Sequence, residues 1–486
     1  MEETGLARSS KMLYFFLPSL FFFLLLQSAS GRELKFVLAL YRHGDRSPVE
    51  NYPTSLHRES EWPQGFGQLT KIGIQQQYEL GQYIKKRYSN FLCPAYRREE
   101  ILVQSSEIDR TIMSAQANLA GLFPPTGDQV WNPKLLWQPI PVHVVPRTYN
   151  PKLRFPYFDC PRYKELLEET MSSREYQAKI ESYKEFIETI ASYSGYDASS
   201  LRKTDNFKIW HVQDTLLCES IHNYSLPEWA TEEVMGKLNE LTVLSLSSLF
   251  GIYKREEKAR LQGGLLLKTI LENMSKAATL QEKRKMLIYS AHDTTLGALQ
   301  MALNVYNERL FPYAACQFFE LYQEKNGEHT IEMHFRNDTM RDPFLLTLPG
   351  CSSACPLSTF EKLVSPILVE DWSKECKQTK REAKYSQTTM TPEPSHDPDL
   401  KPQADAPVVP SLEAVGATET LKPELSKMPQ TKTPESKTPH PKSVTVVPEP
   451  AYLAPRASQP TRPLRQRRDH IWPKFSERQR SAKVHI

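Results

Sequence analysis

The stretch LKFVLALYRHGDRSP, Leu34 to Pro48, decides both the fold class and the chemistry of this 486-residue chain. Its first eight residues are almost continuously apolar, the pattern of a strand buried on both faces rather than wet on one. Such strands belong to α/β sheets with helices packed on either side. The next seven, Arg42-His43-Gly44-Asp45-Arg46-Ser47-Pro48, stand where that strand ends. Open α/β sheets bind their ligands at such carboxyl ends. Arg42 and Arg46 make a fork for phosphate oxygens, and the His43 imidazole is a nucleophile for phosphorus. Gly44 is expected to let the backbone approach the ligand. A solvated basic turn needs neither His nor Gly at fixed spacing. Arg-His-Gly-x-Arg-x-Pro arises by accident in roughly one such chain in several thousand.

Two further sites follow short apolar strands. Met286–Tyr289 leads into Tyr289-Ser290-Ala291-His292-Asp293-Thr294-Thr295, which offers a second imidazole and a carboxylic acid. Ile101–Val103 leads into Ser105-Ser106-Glu107-Ile108-Asp109-Arg110, which offers another cation for a dianionic phosphoryl group. Residues 69–90 carry helical periodicity with Leu69, Ile72, Tyr78, Leu80, Tyr83, Ile84 and Tyr88 on the apolar side. A second helix runs from about Asp109 to Leu122, where Pro124-Pro125 ends it. Residues 163–193 and 231–279 read as charged helices, and Gln317–Gln323 with Thr330–Phe335 as a hairpin around Asn326-Gly327. Strands at both ends with a helical middle predict an α/β fold, an open and mostly parallel sheet flanked by helices, with a helical insertion at about 150–260.

RHGDRSP, WPQGFGQLT, DRTIMSA and YSAHDTT together resemble the histidine acid phosphatases, the branch of the histidine phosphatase superfamily that hydrolyses phosphomonoesters in two steps. The likeness is greatest to its vertebrate prostatic, lysosomal and testicular group and covers about residues 32–376. It implies a phosphoglycerate-mutase-like sheet and an acid phosphatase acting through a phosphohistidine. By position, the resemblance makes His43 the nucleophile and Asp293 the proton donor. Arg42, Arg46, Arg110 and His292 would hold the phosphoryl oxygens. It implies no metal or other cofactor and a homodimer, with Leu136-Trp137 and Pro141–Val145 the first surface to inspect. It would pair Cys160 with Cys376, Cys218 with Cys316, and Cys351 with Cys355, leaving Cys93 over. Relatives usually carry Arg at the position of Gln104 and His at that of Gln317, departures that bear on rate or affinity more than on reaction type.

Composition adds the compartment. Arg8 and Lys11 precede the apolar Leu13–Leu26 and the small residues Ser28-Ala29-Ser30-Gly31, a secretory signal over residues 1–31. That apolar run is too short for a comfortable bilayer span. The seven cysteines show no zinc spacing and suit three disulfides in an oxidising compartment, secreted or lysosomal. Asn223, Asn273 and Asn337 open glycosylation sequons. Residues 377–486 hold 17 of the 37 prolines and no cysteine, with 19 Lys+Arg against 12 Asp+Glu. This Pro-rich tail cannot bury enough apolar area to fold and is expected to be disordered. Its charge accounts for the chain's net +4, so no nucleic-acid partner is expected for the body. No second apolar run near the C-terminus suggests a membrane anchor in the mature chain. The expected partners are small-molecule or phosphoprotein phosphomonoesters. Other readings are a narrow lysophospholipid or inositol phosphate phosphatase and, from another class, an inactive secreted scaffold with an interaction tail. So many converging cations speak against a scaffold.

Overall fold

The structure, a computed structural model, describes residues 31–146, 151–203, 206–279 and 283–377. The signal-like segment and the Pro-rich tail beyond Lys377 lie outside those residues. Strands β1 (Glu33–Arg42), β2 (Ile101–Ser106), β3 (His143–Val145) and β4 (Met286–Ala291) are parallel. Strands β5 (Cys316–Gln323), β6 (His329–Arg336), β7 (Phe344–Leu346) and β8 (Cys355–Pro356) extend the sheet by antiparallel pairing. The order is β3-β2-β4-β1-β5-β6-β7, with β8 beside β6. The sheet is thus mixed, parallel from β3 through β2 and β4 to β1, and β5–β6 is the hairpin expected around Asn326-Gly327.

Strand β1 lies between β4 and β5, and this central place explains its unbroken apolar run. Phe36, Leu38 and Leu40 enter the core on one face; Val37, Ala39 and Tyr41 enter it on the other. Each such side chain contributes about 1.5–3 kcal/mol on burial. Helices α1 (Lys71–Arg87) and α2 (Asp109–Leu122) cover the second face. The helical middle comprises α3 (Pro161–Ser172), α4 (Arg174–Glu181), α5 (Lys184–Ser194), α6 (Ala198–Leu201), α7 (Lys208–Ile221), α8 (Glu232–Phe250) and α9 (Arg255–Leu261). Its own core joins Ile180, Ile187, Val212, Leu216, Leu238 and Leu241. Helices α10 (Gly263–Ala278) and α11 (Asp293–Ala302) cover the first face of the sheet, and α12 (Leu357–Val364) and α13 (Trp372–Lys377) complete the described chain.

Three expectations need correction. Helix α1 buries Gly73, Gln77, Leu80, Gly81 and Ile84, while Ile72 is 39% exposed. Close backbone approach selects this face. A Cβ at Gly73 would lie 2.1 Å from the Asp45 carbonyl oxygen, and one at Gly81 2.0 Å from that of Asn118. Gly44 likewise faces the helix instead of a ligand, since a Cβ there would meet the Gly73 carbonyl oxygen at 2.3 Å. The third concerns cysteines. Cys160–Cys376 and Cys351–Cys355 are bridged, but Cys218 and Cys316 are free thiols, as is Cys93. Cys316 packs into the core beneath α1 and α2, whereas Cys218 Sγ lies 3.5 Å from the Tyr313 hydroxyl and 3.7 Å from Arg46 Nη1. Each sulfur is thereby engaged elsewhere. Of the sequon asparagines, Asn223 and Asn337 are exposed; Asn273 is half-buried in α10 and donates its amide to the Thr269 carbonyl at 2.7 Å.

Candidate active site

Parallel register brings three strand ends side by side. Arg42 is paired with Ala291, and Ser105 with Ser290, so the residues following β1, β2 and β4 meet at one edge of the sheet. There the chain delivers His43, the start of α2 with Arg110, and the start of α11 with His292 and Asp293.

His43 is buried, and its Nδ1 lies 2.8 Å from the Gly44 carbonyl oxygen. A carbonyl only accepts, so Nδ1 carries the proton and Nε2 keeps its lone pair. Burial, then the charges of Arg110, Arg42 and Arg46, hold the imidazole well below the ordinary histidine pKa. Both causes favour the uncharged ring, the form that can attack phosphorus. His292 is also held well below its ordinary value, by burial and then by Arg110 and Arg154. Its Nε2 lies 2.8 Å from Ser106 Oγ, and its ring centre 5.6 Å from that of His43.

The arginines have distinct partners. Arg42 Nη2 is 2.8 Å from Asp293 Oδ2, Nη1 donates to the Phe311 carbonyl, and the guanidinium sits 4.2 Å from the Tyr313 ring centre. Arg46 grips Asp214 with both terminal nitrogens, at 2.8 and 3.0 Å. Arg110 donates to the Gly67 carbonyl at 3.3 Å; burial and then Arg46 pull its pKa down to about 10, which leaves it charged in any physiological lumen. Asp293 is the first residue of α11, and its Oδ1 accepts from the Thr294 amide at 2.7 Å. A carboxyl so placed can exchange a proton with a group bound over His43.

His43, Arg46, Arg110, His292 and Asp293 line one cavity of about 220 Å³. Arg42 stands behind it, reaching the cavity through Asp293. Sequence reasoning missed part of the lining: Arg154, Phe155, and the face of α7 that carries Trp210, His211 and Asp214. Asp214 had no local signal, being one acid on an ordinary amphipathic helix, and only the fold brings it to Arg46. A larger cleft of about 570 Å³ lies between α4, α8 and the loop after α11, but its lining sets Glu175, Glu240 and Glu308 against Lys179 and Arg255 and includes no histidine. Among the described residues, Glu320, Glu332 and His334 could together hold a metal ion. They lie on β5 and β6, away from the cavity, and Arg87 and Arg32 already pair with the two carboxylates.

Comparison with known proteins places the fold in a family. Residues 33–336 match the family model of the histidine phosphatase superfamily, branch 2. Human prostatic acid phosphatase is 52% identical over 375 residues, covering 77% of this chain and 95% of that protein. Human lysosomal acid phosphatase is 51% identical over 346 residues, covering 71% of this chain and 81% of that protein. Among solved structures, the phytase from Citrobacter braakii matches at a TM-score of 0.53 and 18% identity, over 71% of this chain and 100% of that one, a likeness of fold. With the motif histidine at the end of β1, its companions at the ends of β2 and β4, and a family match spanning all three strands, the chain belongs to the histidine phosphatase superfamily, branch 2.

Proposed function

We propose that the protein is an acid phosphatase that hydrolyses phosphate monoesters through a phosphohistidine at His43. The observation that carries this reading is the Nδ1–H bond to the Gly44 carbonyl, which leaves Nε2 unprotonated in a cavity shared with Asp293 and several cations. Nε2 attacks phosphorus as the ester P–O bond breaks, and Asp293 gives its proton to the leaving alkoxide. Water then attacks the phosphohistidine and passes a proton to the Asp293 carboxylate. The P–N bond breaks, returning the electron pair to Nε2 and releasing phosphate. Arg46, Arg110 and His292 hold the phosphoryl oxygens, and Arg42 orients Asp293 while adding positive charge.

Phosphoramidates survive base, so an alkaline quench during turnover should trap phosphate on His43. His43→Ala should take up no label and hydrolyse no ester. Near-wild-type turnover in that variant would remove the nucleophile assignment.

The acid lumen of the secretory or lysosomal pathway suits this chemistry, given the signal-like N-terminus and the names of the relatives. Glycans at the exposed Asn223 and Asn337 fit the same route. We also propose a homodimer. Trp131 and Leu136 are 58% and 68% exposed, and the nearby β3 is the edge strand of the sheet, so a second copy would cover both.

A further inference from the structure

We propose that Arg154 selects phosphomonoesters whose leaving alcohol carries a second anionic group, a further phosphate or a carboxylate. The inference rests on the phosphatase reading and deepens it. Its first support is position. The Leu153 carbonyl accepts from Thr295 Oγ1 at 2.8 Å, which pins this segment to the first turn of α11, where Asp293 begins the helix. Arg154 lines the same cavity as His43 and Asp293. In an in-line displacement the leaving oxygen departs on the side away from the attacking Nε2, and the proton donor marks that side. Arg154, on the segment pinned beside that donor, is assigned to the leaving group.

Charge gives the second support. Arg42 and Arg46 each face a carboxylate, Asp293 and Asp214, while Arg110 bonds to a neutral carbonyl. Arg154 adds a further guanidinium to the lining of the same cavity. Its positive charge, like that of Arg110, is felt at the buried His292, so its field reaches into the cavity. The third support is size. A cavity of about 220 Å³ takes a phosphoryl group and a short chain, so a second anion two or three carbons from the ester oxygen stays within reach of Arg154. The wall on α7 brings Trp210, His211 and Asp214; Arg46 already holds Asp214, and burial lowers the pKa of His211, so the wall supplies such an anion with less counter-charge than Arg154 does. A guanidinium facing a partly desolvated anion strengthens binding by at least about tenfold.

The test compares propane-1,3-diyl bisphosphate with 3-hydroxypropyl phosphate, esters of closely similar alcohols, at about pH 5, where the second phosphate keeps its first negative charge. Phosphate release is followed with the full chain and with Arg154→Ala and Arg154→Lys. The wild type should favour the bisphosphate in kcat/KM by about tenfold or more, beyond the statistical factor for two equivalent esters. Arg154→Ala should lose about tenfold more on the bisphosphate than on the monophosphate, and Arg154→Lys should keep much of the preference. Equal losses on both esters would overturn the assignment, because Arg154 would then be gripping the transferred phosphoryl group. Brisk wild-type turnover of both esters without preference would also overturn it, leaving the phosphatase reading intact. Failure to hydrolyse either ester, with no label on His43, would bring down the phosphatase reading itself.

Discussion

At His43, lowered proton affinity and a fixed Nδ1–H together dictate the pH profile. The attacking form is the neutral ring, and burial with Arg110, Arg42 and Arg46 extends its range well below the usual histidine pKa. The acid limb of kcat/KM should therefore fall well below pH ~6.5. Removing a neighbouring cation makes protonation easier, so Arg110→Ala should move that limb to higher pH while lowering its height. A limb that stays in place across a full pH series would mean another group sets it. Asp293 has a different signature. Asp293→Asn should cost alkyl phosphates about 10²–10⁴-fold, because their alkoxides leave badly, and p-nitrophenyl phosphate noticeably less. Equal losses on the two esters would make Asp293 an organiser of Arg42 rather than the donor. The positions of His43, Arg42, Arg46, Arg110, His292 and Asp293 were legible because each lies within a few residues of an apolar strand's end. Arg154 and Asp214 were not, since neither belongs to a strand-end motif.

Helix α1 shows why some elements were misread in detail. Apolar periodicity put Ile72 inward, yet the buried face is set by Gly73, Gln77 and Gly81. Gln77 belongs inside because its Nε2 donates to the Arg42 carbonyl at 2.8 Å, fixing the backbone that precedes His43. Hydrophobicity scales register neither a glycine contact nor a satisfied buried amide. The strands after residue 101 and after residue 286 were likewise read short, because Ser105, Ser106 and Ser290 are polar. Their hydroxyls are nonetheless bonded: Ser106 to His292 and Thr111, and Ser290 to the Thr111 carbonyl at 2.7 Å. The contact of α1 with the motif loop is testable. In Gly73→Ala the new Cβ would lie 2.1 Å from the Asp45 carbonyl oxygen and 2.8 Å from Leu69 Cδ1. Forcing the two apart should cost about 1–3 kcal/mol of stability, read from urea midpoints. Turnover should fall further than a similarly destabilising substitution in the α7–α8 core, Leu238→Ala, would cause. Parallel effects in the two variants would show that α1 supports the fold without positioning His43.

For the whole molecule, the thiol count separates the structure from the family expectation. Titration in denaturant without reductant should find three reactive thiols, Cys93, Cys218 and Cys316. One alone would mean that Cys218 and Cys316 are joined after all. Replacing both Cys160 and Cys376 by Ser should cost about 2–5 kcal/mol, since their bridge closes a long loop. By light scattering the secreted protein should be a dimer, and Leu136→Asp should shift it to monomer. A chain ending at residue 380 should dimerise and turn over like the full one. The Cys160–Cys376 bridge also has a mechanical meaning. It turns the 216-residue separation between the two cysteines into a closed ring that tension applied at the two ends cannot straighten. At roughly 3.3–3.6 Å per residue, on the order of 700–800 Å of contour would stay hidden until the sulfurs part. Asp293 and His292 lie inside that ring, whereas His43 and Arg110 lie in the part that can be drawn out. A pulled or translocated molecule would thus lose its attacking group first and surrender the ring only to a reductant.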